Sequence, residues 1–97
     1  MEKNTSISFE KFTEGSLKEF AVVYDQFYPQ VFYLTLRFGV NIADAEDITK
    51  ETFIKLFRLR DQIGSESEIR AFLFISARNS CIDYLRHSTK KRQSFEK

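Results

Sequence analysis

The last third of the chain carries the clearest helical pattern in the sequence. Its apolar positions recur at intervals of four residues and are Leu73, Ala77, Cys81 and Leu85. Its polar positions also follow helical spacing and are Asn79, Asp83, Arg86 and Lys90. One face of this helix therefore suits a protein core, while another presents amide, carboxylate and guanidinium groups to solvent or to a partner.

The same segment ends in positive charge at Lys90, Lys91 and Arg92. A buried stripe beside a row of hydrogen-bonding groups, with a cationic end, is typical of helices that bind nucleic acid. Many surface helices share these features, so a solvated basic helix is the alternative at this level.

Two helical segments are predicted between Ser16 and Gly39. Ser16 is an N-cap candidate with Glu19 three residues later, which is the capping-box pattern, and helical apolar spacing continues to Tyr28. Pro29 cannot continue the preceding hydrogen-bond ladder but suits a first turn, so we expect a new helix from Pro29. Gly39 is a natural C-terminal residue for it.

The third and fourth helices also have capping signals. Asn41 caps the third, with Asp44 in its first turn, and Ser65 with Glu68 forms a second capping box. No alternating strand pattern is present. The sequence therefore predicts an all-α fold, a compact bundle of about four helices with short connections.

The predicted limits of the domain follow from this pattern. A length of 97 residues is enough for one small core. We expect the helical domain over residues 16–92 and the start of a linker over residues 93–97. Residues 1–15 are expected to be a flexible segment in which Phe9 and Phe12 pack as a short helical turn.

Composition is ordinary for a globular protein, with 42% apolar and 30% charged residues. No apolar run approaches the roughly 20 residues that span a bilayer, and the N-terminus lacks the apolar centre of a secretory signal. We therefore expect no membrane insertion and a cytoplasmic location. The single cysteine, Cys81, agrees with a reducing compartment.

The charges are unevenly distributed along the chain. Residues 1–77 hold nine Lys/Arg and twelve Asp/Glu, a net −3, whereas residues 78–97 hold six and two, a net +4. This asymmetry indicates two surfaces that face different partners, with a solvated basic tail as the simpler alternative. The aromatic residues are expected to fill the core, with Phe72 and Phe74 as candidates for stacking on unpaired bases.

Catalysis has little support in the sequence. His87 is the only histidine and lies four residues after Asp83, so the two can share a helical face. No second histidine, cysteine pair or glycine-rich phosphate loop accompanies them. A surface pair is therefore the favoured interpretation, and we predict no catalytic residue, no metal site and no cofactor.

The third helix has a better interpretation as a protein-docking face. Its polar side carries charges around one apolar residue, and the positions are Asp47, Lys50, Glu51 and Ile54. Such a face suits a basic partner helix, because charge steers the encounter and the apolar contact adds burial. Ordinary i,i+4 pairs, Glu46–Lys50 and Glu51–Lys55, are expected on the same helix.

Two blocks of this sequence resemble the second conserved region of bacterial sigma factors, in the extracytoplasmic-function branch. They are DAEDITKETFIKLF at Asp44–Phe57 and RAFLFISARNSCIDYLR at Arg70–Arg86, and FAVVYDQFYPQVFYL upstream is similar to that region's first segment. The resemblance covers roughly Leu17–Lys91. It implies an all-helical, non-enzymatic domain that binds core RNA polymerase and recognises and melts the minus-ten promoter element.

The resemblance also assigns expected roles to residues. Those facing the clamp helices of the largest catalytic polymerase subunit would be Asp47, Lys50, Glu51 and Ile54. The loop Ile63–Glu68 and the start of the fourth helix would hold a base flipped from the non-template strand. The promoter-facing residues would be Arg70, Phe72, Arg78, Asn79, Asp83, Arg86, Lys90, Lys91 and Arg92. Asn79 and Asp83 have bracing of the helix or loop as an alternative role, and an anti-sigma factor is an expected further partner.

Two positions depart from the family pattern. Lys50 stands where the family usually has glutamine, so either it pairs with Glu46 or the polymerase contact is altered. Phe57 and Phe72 stand where tryptophan is common, which removes an indole donor. The family's second, helix-turn-helix domain has no counterpart after Arg92, so an excised domain and a natural truncation are both open.

Two other functional classes compete with this assignment. A stand-alone helical DNA-binding regulator would bind duplex DNA without polymerase, usually as a dimer. A helical adaptor or a phosphorelay-type enzyme would show no polymerase contact, and the enzyme would depend on His87.

Overall fold

The computed structural model describes the backbone of residues 8–96 and the side chains of residues 8–87. The helices are α1 (Phe9–Thr13), α2 (Leu17–Arg37), α3 (Ile42–Arg58) and α4 (Glu66–Glu96), with a short 3-10 turn at Arg60–Gln62. The described residues contain no strand. The predicted all-α bundle is confirmed.

Each predicted N-cap forms in the structure. The Ser16 hydroxyl accepts from the Glu19 amide at 3.2 Å, the Asn41 side chain accepts from Asp44 at 2.9 Å, and the Ser65 hydroxyl accepts from Glu68 at 3.3 Å. These bonds satisfy amides that have no partner within a helix. The reciprocal half of each capping box differs from the prediction, however, because the glutamates bind other amides. The Glu19 carboxylate accepts from Ser8 at 3.0 Å, and that of Glu68 accepts from Gly64 at 2.6 Å.

The predicted break at Pro29 is wrong, since α2 runs through the proline as one helix. Pro29 is exposed, so the carbonyl that loses its helical donor lies on the solvent side. The opposite side of α2 carries an unbroken buried stripe, formed by Val23, Phe27, Val31 and Thr35. Burial of this continuous stripe outweighs the local preference for a helix end.

The N-terminal segment contacts the helical core through Phe12. Phe9 and Phe12 do form the predicted short helical turn, and Phe12 is buried in the main core. Gly15 then closes the turn with a positive φ of 92°, and an added Cβ would lie 3.2 Å from the Arg60 guanidinium. The predicted domain limit at residue 16 and the flexibility of residues 1–15 stay predictions. Residues 1–7 lie outside the described part of the chain.

At the other end of the chain, α4 continues to Glu96. Its apolar stripe enters the core as expected: Leu73, Ala77 and Cys81 are fully buried, and Leu85 is half-buried. The start of a linker over residues 93–97 stays a prediction.

Two adjoining clusters of buried residues form the core. The larger cluster contains Phe12, Val23, Phe27, Val31, Phe53, Leu56, Ile69, Leu73 and Ala77. The smaller cluster contains Val40, Ala45 and Cys81. All three long helices contribute to the larger cluster, so the outer surfaces of α3 and α4 are held by the same packed interior.

Candidate functional site

The outer face of α3 is open to solvent, as the sequence pattern predicted. Asp47, Lys50 and Glu51 are exposed, and Ile54 retains 58% of its accessible surface. Within residues 8–87, none of the three charged groups lies in an ion pair. The expected Glu46–Lys50 and Glu51–Lys55 pairs are therefore absent, and Lys50 is not neutralised by Glu46. These side chains remain available to another molecule.

An apolar depression lies at the C-terminal end of this face. It has a volume of about 230 Å³ and is lined by Leu17, Phe20, Ile54 and Phe57. Leu17 is 74% exposed although it is a large apolar residue. Because α2 and α3 run antiparallel, the first turn of α2 meets the last turns of α3. Sequence reasoning missed this site, since its two halves are far apart in the chain and only Ile54 had been assigned to a binding surface.

Arg60 packs against Phe57, which lines the depression. Its guanidinium carbon lies 4.3 Å from the centre of the Phe57 ring, and its Nη1 donates to the Phe57 carbonyl at 2.7 Å. A cation over an aromatic face is favourable. The Phe57 ring is thereby fixed in place beside Ile54.

A row of aromatic rings joins α2 to α3 behind this face. The row follows α2 at intervals of four residues and consists of Phe20, Tyr24, Tyr28 and Phe32. Phe53 of α3 packs among them, with its ring centre 4.8 Å from that of Tyr24. Burial raises the pKa of the Tyr28 hydroxyl, and nearby Tyr24 and Glu46 raise it further. The row holds α3 rigidly against α2.

Two of the predicted DNA-binding residues lie on the flank of α4 that adjoins α2. The Arg70 guanidinium lies over the Phe27 ring at 5.2 Å, and its Nη1 donates a long 3.5 Å hydrogen bond to the Gln30 side chain. Arg78 lies eight residues further along α4 and is exposed. Helical spacing places it toward the same flank.

Three others lie further along α4. Asn79, Asp83 and Arg86 are all exposed, and the Arg86 guanidinium lies 4.0 Å from the Asp83 carboxylate. The ring Nδ1 of His87 lies 3.2 Å from the Asp83 backbone carbonyl. The suggested pairing of this imidazole with the Asp83 carboxylate is therefore not what forms. The role of these residues in DNA binding stays a prediction.

The remaining predicted residues differ in their exposure. Phe72 and Phe74 are half-buried and pack against the main core, so neither presents a free ring to solvent. The side chains of Lys90, Lys91 and Arg92 lie outside the described residues. Across residues 8–87, the one exposed aromatic side chain is Tyr33 of α2, at 62%, which sequence reasoning did not single out.

The connection between the 3-10 turn and α4 is short and internally bonded. Ile63 and Gly64 are non-helical, and α4 begins at Glu66. The Glu68 carboxylate accepts a hydrogen bond from the Gly64 amide, and the Ser65 and Ser67 hydroxyls lie 3.2 Å apart. The loop expected to hold a base is thus pre-shaped by its own side chains.

One hydrogen bond connects the start of α3 to α4. The Tyr84 hydroxyl donates to the Asp44 carboxylate at 2.6 Å, and the Asn41 amide donates to the same oxygen at 3.1 Å. The Asp44 carboxylate therefore stabilises the positive end of the α3 dipole, and it also connects α3 to α4 through Tyr84. The two candidate surfaces are connected at this end of the bundle as well as through the core.

Other kinds of site find no support in the described residues. No group of three or more histidine, cysteine, aspartate or glutamate residues there is arranged to hold a metal ion. No described helix has both the length and the apolar content needed to cross a membrane. Cys81 is buried, and burial raises the pKa of its thiol.

Comparison with known proteins gives one match. The family model described as sigma-70 region 2 matches residues 23–91, which is most of the chain and includes all of α3 and most of α2 and α4. No curated protein and no solved structure matches the chain significantly.

Proposed function

The chain belongs to the sigma-70 region 2 family, and we propose that it is the polymerase-binding and promoter-melting domain of an extracytoplasmic-function sigma factor. Region 2 of sigma factors is a non-enzymatic transcription-initiation domain that takes part in binding core RNA polymerase and in promoter melting. The assignment to this branch rests on the two sequence blocks around α3 and α4. An anti-sigma partner is part of the same proposal.

The outer face of α3 is the observation that carries the proposal. Asp47 and Glu51 are exposed and form no ion pair with a described side chain, and they lie beside exposed Ile54. Carboxylates without intramolecular partners gain most from a basic partner, because no existing bond is broken on binding. In this proposal the clamp helices of the largest catalytic polymerase subunit are that partner, with Lys50 at the edge of the contact.

In the same proposal, α4 holds the separated promoter strands. Arg70, Arg78 and Arg86 are exposed cations, and phosphate contacts of this kind position a protein without reading sequence. The basic end of the helix adds Lys90, Lys91 and Arg92. Phosphate binding by these groups would weaken with added salt, because counterions are released when DNA binds.

Capture of an unpaired base would supply the driving force for melting. The loop from Ile63 to Glu68 and the first turn of α4, with Phe72 packed behind it, form the proposed base pocket. Capture must offset an unstacking and unpairing cost of a few kcal/mol. Asn79 and Asp83 either contact the promoter or brace the helix next to it.

Binding of purified core RNA polymerase tests the proposal directly. We expect the double variant Asp47→Arg/Glu51→Arg to lose binding by more than about 100-fold, since like charges then face a basic partner. The matched control is Glu10→Arg/Asp25→Arg, which reverses two exposed carboxylates on α1 and α2 and changes the net charge equally. Equal affinity of the two double variants would contradict the proposed face.

The isolated chain is expected to bind duplex promoter DNA weakly. Its net charge is only +1, so polymerase must provide most of the affinity. A mobility-shift assay at physiological salt measures this. A tight, sequence-specific complex with duplex DNA in the absence of polymerase would instead support a stand-alone regulator.

A further inference from the structure

The exposed stripe of α3 reverses its charge along the helix. The stripe has helical spacing i, i+4, i+7 and i+11 and consists of Asp47, Glu51, Ile54 and Arg58, all exposed. Two carboxylates therefore precede the apolar residue, and a guanidinium follows it. Lys50 is also exposed but lies beside this line, whereas Arg58 lies on it.

The apolar depression opens at the point where the charge changes sign. Ile54 belongs both to the stripe and to the lining of the depression, together with Leu17, Phe20 and Phe57. Leu17 is 74% exposed and Ile54 is 58% exposed. Both side chains would become buried only if another molecule bound to the depression. Exposed apolar surface bordered by charged groups is typical of protein interfaces.

We infer that this surface docks one polymerase helix whose cations, apolar side chain and carboxylate follow one another in that order. The cations face Asp47 and Glu51, the apolar side chain fills the depression, and the carboxylate meets Arg58. The inference rests on the proposed function and specifies the partner more closely than a basic helix.

The spacing of α3 sets the spacing required of that helix. At a rise of about 1.5 Å per residue, Glu51 precedes Ile54 by about 4.5 Å and Arg58 follows it by about 6 Å. The partner therefore needs a cation and a carboxylate within about one turn on either side of its apolar residue.

Arg58 provides the sharpest test. A simply basic partner and a partner with a carboxylate opposite Arg58 predict changes of opposite sign in the affinity of Arg58→Glu. A simply basic partner would bind Arg58→Glu more tightly than wild type, since the variant removes repulsion. We expect it to bind purified core RNA polymerase about tenfold more weakly, which corresponds to about 1.4 kcal/mol. Arg58→Gln should lose about threefold in polymerase affinity. This variant removes the cation without adding a carboxylate at the negative, C-terminal end of α3. Arg37→Glu, at an exposed arginine of α2, is the matched control and should bind as wild type.

The depression is tested separately with Leu17→Ala. We expect about a tenfold loss of polymerase affinity, with near wild-type affinity for Leu17→Met, which keeps the apolar volume. The matched control is Ile75→Ala, because Ile75 of α4 is 55% exposed and lies outside the depression. Thermal unfolding of each variant confirms that the fold is retained.

The outcomes separate this inference from the function on which it rests. Wild-type affinity of Leu17→Ala, or tighter binding by Arg58→Glu, overturns the inference even when Asp47→Arg/Glu51→Arg abolishes binding. Wild-type affinity of that double variant overturns the proposed function as well.

Discussion

The outer surfaces of α3 and α4 differ in how much of their chemistry is already engaged within the molecule. On α3, the charged groups of the outer face form no ion pair with any described residue. On α4, Arg70 is held by Phe27 and Gln30, and Arg86 lies near Asp83. The first surface is organised by helix geometry alone, whereas the second is partly arranged by its own contacts. Substitutions on α3 should therefore change binding without changing stability.

A substitution that removes core volume beneath both surfaces should have the largest effect on stability. It should affect the α3 and α4 surfaces alike, because both rest on the same core. Leu73 is fully buried in the cluster that all three long helices share. We expect Leu73→Ala to lower the free energy of unfolding by about 2–5 kcal/mol, because it removes buried methyl groups and leaves a cavity. Urea unfolding measures this. Ile75→Ala, two residues away but exposed, should change stability by less than about 0.5 kcal/mol.

Breaking the hydrogen bond between α3 and α4 tests whether the surfaces are coupled through their ends. Tyr84→Phe removes the hydroxyl that donates to Asp44 at 2.6 Å. We expect a loss of about 1–2 kcal/mol in unfolding free energy, since the acceptor is a charged group in a partly buried site. Tyr33→Phe removes an exposed hydroxyl and is the matched control. Equal stability of the two variants would show that the ends are not coupled.

A reciprocal pair of arginine substitutions sharpens the comparison further. Arg78→Gln should weaken binding of single-stranded DNA and reduce the salt slope of log K by about 0.7, because one phosphate contact is lost. It should leave polymerase affinity unchanged. Arg58→Gln should weaken polymerase binding and leave the affinity for single-stranded DNA unchanged. Fluorescence anisotropy with a labelled oligonucleotide and with polymerase measures both, and a shared loss in both assays would mean that the surfaces are not separate.

The smallest predicted effect concerns the aromatic row behind α3. Burial raises the pKa of Tyr28 above its ordinary value of 10.0. The folded chain therefore keeps this proton at a pH where the unfolded chain has lost it. The free energy of unfolding should fall as pH rises above about 10, because the unfolded state then binds fewer protons. The fall should be shallower in Tyr28→Phe, and superimposable curves would contradict the prediction.

Local signals in the sequence predict much of this structure. Ser16, Asn41 and Ser65 are N-caps because their side chains accept from an amide three residues later, an interaction set by near neighbours. The buried stripe of α4 follows from the period of the helix alone. The exposed charges of α3 are likewise visible in the sequence, because they occupy the face opposite its apolar positions.

Features that depend on distant residues could not be predicted in the same way. The depression combines Leu17 with Ile54, and its existence depends on how α2 and α3 cross. The Glu19 carboxylate binds Ser8 and not its own N-cap, because α1 folds back beside the start of α2. Charge pairs on α3 were expected from spacing, but exposed ion pairs gain little energy, and none forms between the described side chains of α3.

The continuity of α2 through Pro29 has a consequence for hydrogen exchange. Val23 and Phe27 before the proline and Val31 and Thr35 after it share one buried stripe, so neither half can open while the other stays packed. Amides on both sides of the proline should therefore exchange with deuterium through a common opening reaction. A chain whose proline separated two helices would instead show two protection levels.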